Sequence, residues 1–409
     1  MLIRSLTIRN LRGYAALDLE LGPGPQLVWG PNAAGKTTLL EAVVLLGLGH
    51  SHRTTADSEL IRWGADYLRV EGVMAAPSGS AEAADVQTDA RAVVERAEPA
   101  GERDWASERQ TAPHGVALEF ALQAGGGRKR IQINGVPRRP AALAEHLRAV
   151  LFAPEEMLLV IGPPSLRRAA LDGLTAPHDP RYASHIATYT RALQQRNSLL
   201  RAIREGEGDR DQLRLWDEPF LAAGSAIVGA RLRLLEMLAG PLAAAHREIA
   251  PSEERLTIGY ATNAPVLPGE EPRDALARRL AETAEKEVWN GSTLVGPHRD
   301  DLAFGMAGRD LASFASRGQQ RTTILALKLA ELDLLTLLDG RPPLLLLDDV
   351  FSELDSDRRG HLVRRIAELP QALITTTDPA DIDPELRRKA RPWRVVPEES
   401  GARVVEGEA

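Results

Sequence analysis

The chain has 409 residues, 50 Lys and Arg against 57 Asp and Glu, and no cysteine. The absence of Cys excludes disulfides and thiolate metal sites, and the formal net charge of -7 excludes indiscriminate adhesion to nucleic acid, so any DNA contact must come from a local basic patch. The length predicts two or three domains, apolar runs fall short of the roughly 20 residues that cross a bilayer, and no leader pattern precedes the first strand; a soluble, cytoplasmic protein without a membrane partner is expected.

Leu2, Ile3, Leu6 and Ile8, then Leu17, Leu19 and Leu21, alternate as two strands joined by a turn at Gly13, an N-terminal β lobe. A third apolar run, Leu27 to Trp29, enters Gly30-Pro31-Asn32-Ala33-Ala34-Gly35-Lys36-Thr37, which fits G-x-x-x-x-G-K-[ST] at every fixed position. Leu39, Leu40, Val43 and Leu46 then mark one face of a helix that ends near Gly47 and Gly49. In such a strand, loop and helix, small residues let backbone N–H groups close around a phosphate, and the positive end of the helix faces it. Lys36 reaches the outer phosphates, the Thr37 hydroxyl ligates magnesium, and Thr38 stands beside it. This reading says nucleotide and no more.

Short strands are expected over 69–73, 116–122 and 130–133, the last closed by the Asn134-Gly135 turn, and a disordered or poorly ordered insertion over 75–114. From Pro164 the period becomes helical. Asp179-Pro180 is expected to cap a helix in which Tyr182, Ile186, Tyr189, Leu193, Leu200 and Ile203 recur at spacings of four and three. Trp216, Phe220, Ala223, Ile227, Ala230 and Leu234 repeat that spacing. Two antiparallel helices of about 23 residues, roughly 35 Å long, are predicted as an arm. Arg191, Arg196, Arg201, Arg204, Arg210 and Arg214 make it basic, which is equally consistent with a solvated face and a DNA-contacting one. The few lysines, at positions 36, 129, 286, 328 and 389, reflect base composition more than function.

A charged helix is expected over 273–289, and Thr293 to Asp301 then precedes Ser316-Arg317-Gly318-Gln319, which opens an amphipathic helix to about Leu338. Leu344 to Leu347 reads as a strand covered on both faces and ends in Asp348-Asp349; Ser352-Glu353-Leu354-Asp355 follows. Ala372 to Ile374 is a further buried strand, and the tail after Pro392 reads as polar and loose. A phosphate loop needs a carboxylate at a neighbouring strand end to hold magnesium, which points to Asp348; Asp349 is then the group that orients or deprotonates the attacking water. Ser316 to Gln319, a hydroxyl and a bare backbone at a helix start, is a second anion site.

Taken in order, these motifs resemble those of the ATP-binding-cassette ATPases, with Ser316, Arg317, Gly318 and Gln319 similar to the signature motif and Ser352, Glu353, Leu354 and Asp355 similar to the D-loop. The resemblance implies an α/β fold, an ABC-type ATPase head with a mixed sheet, phosphate loop and β lobe, in which one subunit's signature covers the nucleotide of another. Lys36 and Ser316 lie far further apart than in transporter subunits, so a helical arm is expected inside the head, as in SMC-like ATPases. The boundaries are 1–160 for the first part of the head, 161–290 for the arm, 291–395 for the second part and 396–409 for a tail.

Ile8 to Tyr14, Gly30 to Thr37, Gly162 to Arg168 with Leu171-Asp172, Gln195 to Asn197, Gly296 to Asp301, Ser316 to Arg321 and Leu344 to Asp355 together resemble the RecF family. That resemblance implies a weak, DNA-stimulated ATPase using ATP and Mg2+, an ATP-dependent homodimer that binds double-stranded and gapped DNA without sequence preference, and partnership with RecR, RecO and RecA. Arg12 and Arg53 resemble the phosphate-contacting arginines of SMC-like heads and read equally well as surface arginines; His298, Arg299 and Asp300 are family markers without an assigned role, structural support of the signature loop being the plain reading. Ala33 replaces a usual Gly, Asp349 stands where transporters carry Glu, and no Gln between 150 and 165 matches the magnesium-contacting Gln of the superfamily. A transporter ATPase subunit and the head of an overcoming-lysogenization-defect-type nuclease are the rival readings.

Overall fold

The computed structural model describes residues 2–75, 115–125, 129–398 and 401–407. Ala75 closes a strand, and the rest of the insertion expected over 75–114 lies outside the described residues. Strands β1 (Ile3–Leu11) and β2 (Tyr14–Glu20) form the expected hairpin, and β3 (Gly24–Trp29) feeds helix α1 (Lys36–Leu48). With β4 (Tyr67–Ala75), β5 (Gly115–Gln123), β6 (Arg130–Ile133) and β7 (Val136–Pro137), β1 and β2 make an antiparallel sheet in the order β2-β1-β4-β5-β6-β7. Helix α1 is apolar on nearly every face and is buried accordingly, with leucines that pack on Ile8, Val70 and Phe120 from this sheet and on Leu344, Leu346 and Leu373 from the next.

The chain then runs through β8 (Ala149–Phe152), α2 (Leu158–Ile161) and α3 (Pro164–Thr175) to the arm, helices α4 (Tyr182–Arg204) and α5 (Arg214–Ile249). Strand β9 (Leu256–Ala261), α6 (Pro272–Asn290), β10 (Asp301–Met306) and β11 (Arg309–Asp310) follow, the strands pairing as β11-β10-β9. Short α7 (Leu311–Phe314) precedes the long α8 (Arg317–Asp339). Strand β12 (Leu344–Asp348), α9 (Ser356–Ala367), β13 (Gln371–Thr376), α10 (Pro384–Lys389), β14 (Arg391–Glu398) and β15 (Gly401–Glu406) complete the chain. The second large sheet has the order β15-β14-β3-β13-β12-β8, parallel except for the β14–β15 hairpin.

Three expectations change. Helix α4 begins at Tyr182, and the Asp179 carboxylate accepts from Arg181 N at 3.0 Å, so Asp179-Pro180 shapes a turn ahead of the helix instead of capping it. The two arm helices are unequal: α5 has 36 residues and continues through Pro219 and Pro241. Its outer half packs Phe220, Ala223 and Ile227 against Tyr182 and Tyr189, while Leu234, Leu235, Leu238 and Leu242 enter the head core with Ile324 and Leu325 of α8. A helix-interior proline costs about 3 kcal/mol and each buried leucine returns ~1.5–3, so the leucines around Pro241 outweigh the break. Third, the tail is not loose. Trp393 and Val395, two residues apart, are buried in β14, and the Trp393 indole donates to Gln26 Oε1 at 3.1 Å.

Candidate functional site

The parallel sheet brings the ends of β3 and β12 to the same edge, separated only by β13. From β3 the chain turns through the phosphate loop. A Cβ at Gly30 would lie 2.4 Å from Val395 O, so the β14 strand itself dictates glycine there. At Gly35, φ is 111° and a Cβ would meet the Tyr14 ring at 3.1 Å; the buried Tyr14 donates its hydroxyl to Gly35 O at 3.2 Å and props the loop from below. Ala33 is the exception: its φ of 61° is the left-handed conformation that suits the glycine it replaces. Ala33→Gly is expected to stabilise the protein by about 1 kcal/mol, because relief of left-handed strain outweighs the added freedom of the unfolded chain. Thermal unfolding without nucleotide checks this; an unchanged or lower Tm refutes the strain.

Lys36 Nζ donates to Gly30 O at 2.8 Å and Pro31 O at 3.0 Å. Burial lowers its pKa, with Asp349 and Asp348 opposing the shift. The Thr37 hydroxyl donates to Asp348 Oδ2 at 2.8 Å, and Thr375 Oγ1 donates to Asp348 Oδ1 at 2.6 Å, so both carboxylate oxygens are aimed. Asp349 is held with φ 52°, its amide donating to Thr375 O and Thr375 Oγ1 at 3.2 and 3.1 Å. Its Oδ1 is buried without a hydrogen-bond partner, and burial first, then Asp348, raise its pKa against the pull of Lys36.

A cleft of about 460 Å3 gathers Arg12, Asn32, Ala33, Gly35, Lys36, Thr37, Thr38 and Arg53 with Asp348 and Asp349. The two arginines converge through Glu41, a fully buried carboxylate on α1. Arg12 donates to both Glu41 oxygens, at 2.5 and 2.8 Å, Ser51 Oγ donates at 2.5 Å, and Arg53 lies 3.7 Å away. Burial opposes the Glu41 charge, but the hydrogen bonds from Arg12 and Ser51 and the two guanidinium charges bring its pKa below the ordinary value. Sequence reasoning missed Glu41, although a lone acid on an otherwise apolar helix after Lys36 was a signal. It also missed Pro154 and Glu155, which close the cleft where β8, paired with β12, hands the chain to the arm.

The oxygens present fit Mg2+. Thr37 gives its hydroxyl proton to Asp348 and keeps lone pairs for a cation, and Asp348 adds a hard carboxylate. Among the described residues no cluster of three or more His, Cys, Asp or Glu is present.

Ser316 caps α8 with a reciprocal box: its Oγ accepts from Gln319 N at 3.2 Å while Gln319 Oε1 accepts from Ser316 N at 3.0 Å. This capped end, with Arg317 and an unobstructed Gly318, is exposed and does not line the cleft. In the D-loop-like stretch, Ser352 Oγ donates to Asp349 O at 2.8 Å, Leu354 is buried, and Asp355 caps α9 by accepting from Arg358 N at 3.0 Å. Glu353 ends the single 3-10 turn between them.

His298, Arg299 and Asp300, to which the sequence assigned no role, lie against the seat of the arm. The Tyr189 hydroxyl and His298 Nδ1 are hydrogen-bonded at 2.6 Å, and burial brings the His298 pKa down to about 4, so the ring is neutral. Asp300 accepts from Tyr260 at 2.8 Å, Arg299 donates to Thr293 O at 3.1 Å, and Arg231 of α5 joins Pro297 O to Asp172 of α3. A Cβ at Gly296 would lie 2.4 Å from the Tyr189 hydroxyl. The arm's arginines are also largely engaged within it. Arg196 is buried between Asp217 at 2.7 Å and Glu287 at 2.8 Å, Arg210 pairs with Glu285 and Arg214 with Asp211; Arg191 and Arg201 stand exposed.

With this geometry in place, the comparisons are specific. The model of the RecF/RecN/SMC N terminal domain matches residues 2–384. A Chloroflexus aurantiacus protein named DNA replication and repair protein RecF is 40% identical, covering 97% of this chain and 98% of its own. A protein of the same name from Moorella thermoacetica is 35% identical over 96% of this chain and 94% of its own. The solved structure of the recombination mediator protein RecF-ATP in the RecFOR pathway superposes with a TM-score of 0.80 at 30% identity, covering 98% of this chain and 97% of that one. An SMC head bound to the C-winged helix domain of ScpA, at 13% identity and a TM-score of 0.51, shares the fold alone. These matches displace the transporter and nuclease-head readings, and the chain belongs to the RecF family.

Proposed function

We propose that this chain is an ATP-gated DNA clamp of recombinational repair, which binds ATP and Mg2+ in the cleft, closes on a second copy and is reset by slow hydrolysis. The observation that carries it is the Thr37–Asp348 hydrogen bond joining loop and strand end in one cleft while the capped Ser316 end of α8 stands exposed outside it. One copy thus offers a phosphate cradle and, separately, a donor surface of the kind a second nucleotide needs. Bound magnesium neutralises phosphate charge and fixes the phosphates for attack. Lys36 already spends two donors on loop carbonyls and keeps a third for an outer phosphate. Asp349, with an unpartnered carboxylate oxygen beside Asp348, orients the attacking water and takes its proton. Arg12 and Arg53, held by Glu41, turn toward the nucleotide.

Family membership supports action at single-strand gaps with RecR and RecO, loading of RecA, DNA stimulation of a weak ATPase, and a cytoplasmic place. Among the described residues no helix is long and apolar enough to cross a membrane. Sedimentation with and without ATP and gapped DNA tests the clamp: ATP is expected to double the mass and DNA to join the dimer. A monomer under all conditions refutes it. DNA affinity is expected to be independent of base sequence and to fall steeply with salt, on the order of a thousand-fold between 50 and 200 mM if several phosphates are touched. With most arm arginines already paired, a flat salt response in filter binding or anisotropy removes the backbone-contact account.

A further inference from the structure

Lys328 is the one lysine on α8 and is 8% exposed. Its Nζ lies 2.5 Å from Glu156 Oε2 and 3.2 Å from Glu331 Oε2. Burial works against the ammonium, but the two carboxylates raise its pKa, so it stays charged; burial raises the pKa of Glu331. The two acids differ in what they join. Glu331 is on α8 itself, three residues on, so its bond to Lys328 ties the helix only to itself. Glu156 belongs to the 3-10 turn Pro154–Met157 that follows β8, and its neighbours Pro154 and Glu155 are wall residues of the nucleotide cleft. On its other side that turn is rooted in the sheet, where Phe152 pairs with Leu347 beside Asp348. Arg321, also on α8, lines a second, small cavity together with Pro154, Asp348 and Asp349, so the helix reaches the back of residues that also wall the cleft.

Stability alone is a poor reason for this arrangement, because a buried ion pair is seldom better than an apolar replacement of equal volume. Its directionality is the distinguishing property. Helix α8 is continuous from Arg317 to Asp339, and Lys328 stands eleven residues from its start, about 17 Å along the axis. We infer that Lys328, through Glu156, is a positioning residue that makes the cleft wall at Glu155 and the exposed Ser316 end of α8 move as one body. Filling a chain's own cleft then sets how its signature is presented to the second copy. The inference rests on the shared-site clamp proposed above and assigns the link that makes it conditional on ATP.

Two matched substitutions separate a link from a structural charge. Glu156→Gln and Glu331→Gln each remove one carboxylate from the same lysine, but only the first weakens the tie to the cleft wall. ATP affinity is measured by equilibrium binding in a Ser316→Arg background, which keeps the chain monomeric, and dimerisation by sedimentation at saturating ATP with Ser316 intact. For Glu156→Gln, ATP affinity is expected to stay within about twofold while ATP-driven dimerisation weakens by roughly 5- to 150-fold, the range of site-to-site coupling. Glu331→Gln is expected to dimerise as the unmodified protein does. Equal dimerisation by both variants overturns the inference, as does an equal loss in both, which marks a purely structural charge. If the unmodified protein itself fails to dimerise with ATP, the clamp reading has failed first and the link falls with it.

Discussion

Asp349→Asn is expected to bind ATP and leave it intact, with turnover reduced by about 100- to 10,000-fold, the span associated with loss of a positioned base. The substitution keeps size and leaves the Thr37–Asp348–Thr375 hydrogen bonds in place, so the cation site is expected to persist while the carboxylate proposed to take the water's proton is gone. Asparagine also tolerates the left-handed backbone at position 349, which argues against a folding defect. Lys36→Met is the informative partner. Removing the ammonium takes away the donor to the outer phosphates, so ATP no longer favours the closed dimer and DNA binding falls with it. The two variants thus fail at opposite ends of the cycle. Because a ligand favours a state only through differential affinity, slowing ATP destruction is expected to lengthen DNA residence with little change in association rate. ATP turnover and DNA dissociation, measured for both in one buffer, decide the matter. Normal hydrolysis by Asp349→Asn removes its assignment; lost turnover with unchanged DNA release shows that hydrolysis is not the release step.

Ser316→Arg is expected to retain ATP binding and lose ATP-driven dimerisation. Ser316 is exposed, makes its hydrogen bonds only within the cap of α8 and does not touch the cleft of its own chain. A bulky cation there fills the space a second copy's nucleotide would occupy. Loss of the cap costs the fold only about 1 kcal/mol, too little to unfold a domain with cores of this extent. Mixing Ser316→Arg with Lys36→Met restores at most one composite site per dimer, because one subunit supplies an intact loop and the other an intact signature. Normal dimerisation of Ser316→Arg alone, in sedimentation at saturating ATP, would sink the shared-site model.

Some of this molecule is written in local pattern. A phosphate loop works through consecutive backbone groups, so its spacing over Gly30 to Thr37 is legible without a fold, and Leu344 to Leu347 reads as a two-sided strand because the apolar run has no polar alternation; all five residues of Leu344–Asp348 are buried. The helical arm is legible from its period, but its lengths are not: a helix with Pro219 and Pro241 inside it reads as interrupted until the leucines that hold it together have partners on α8. The tail carried a short alternation in Trp393 and Val395 that its polar surroundings obscured, and only its place beside β3 gives those residues a core to enter.

What the sequence by itself determined is the family and where its motifs fall, since both depend on residues fixed at set spacings along the chain. The tertiary structure alone decided which separated groups share a site. Glu41 gathers Arg12 and Arg53 into the cleft, Glu155 closes it where a Gln was sought, and His298 and Asp300 lie at the arm seat. Two of the arm's six arginines, Arg196 and Arg210, meet Asp217, Glu285 and Glu287, partners that the sequence spacing did not reveal. Charge, burial and hydrogen bonding are pairwise quantities, and the partner of a residue lies wherever the chain happens to return.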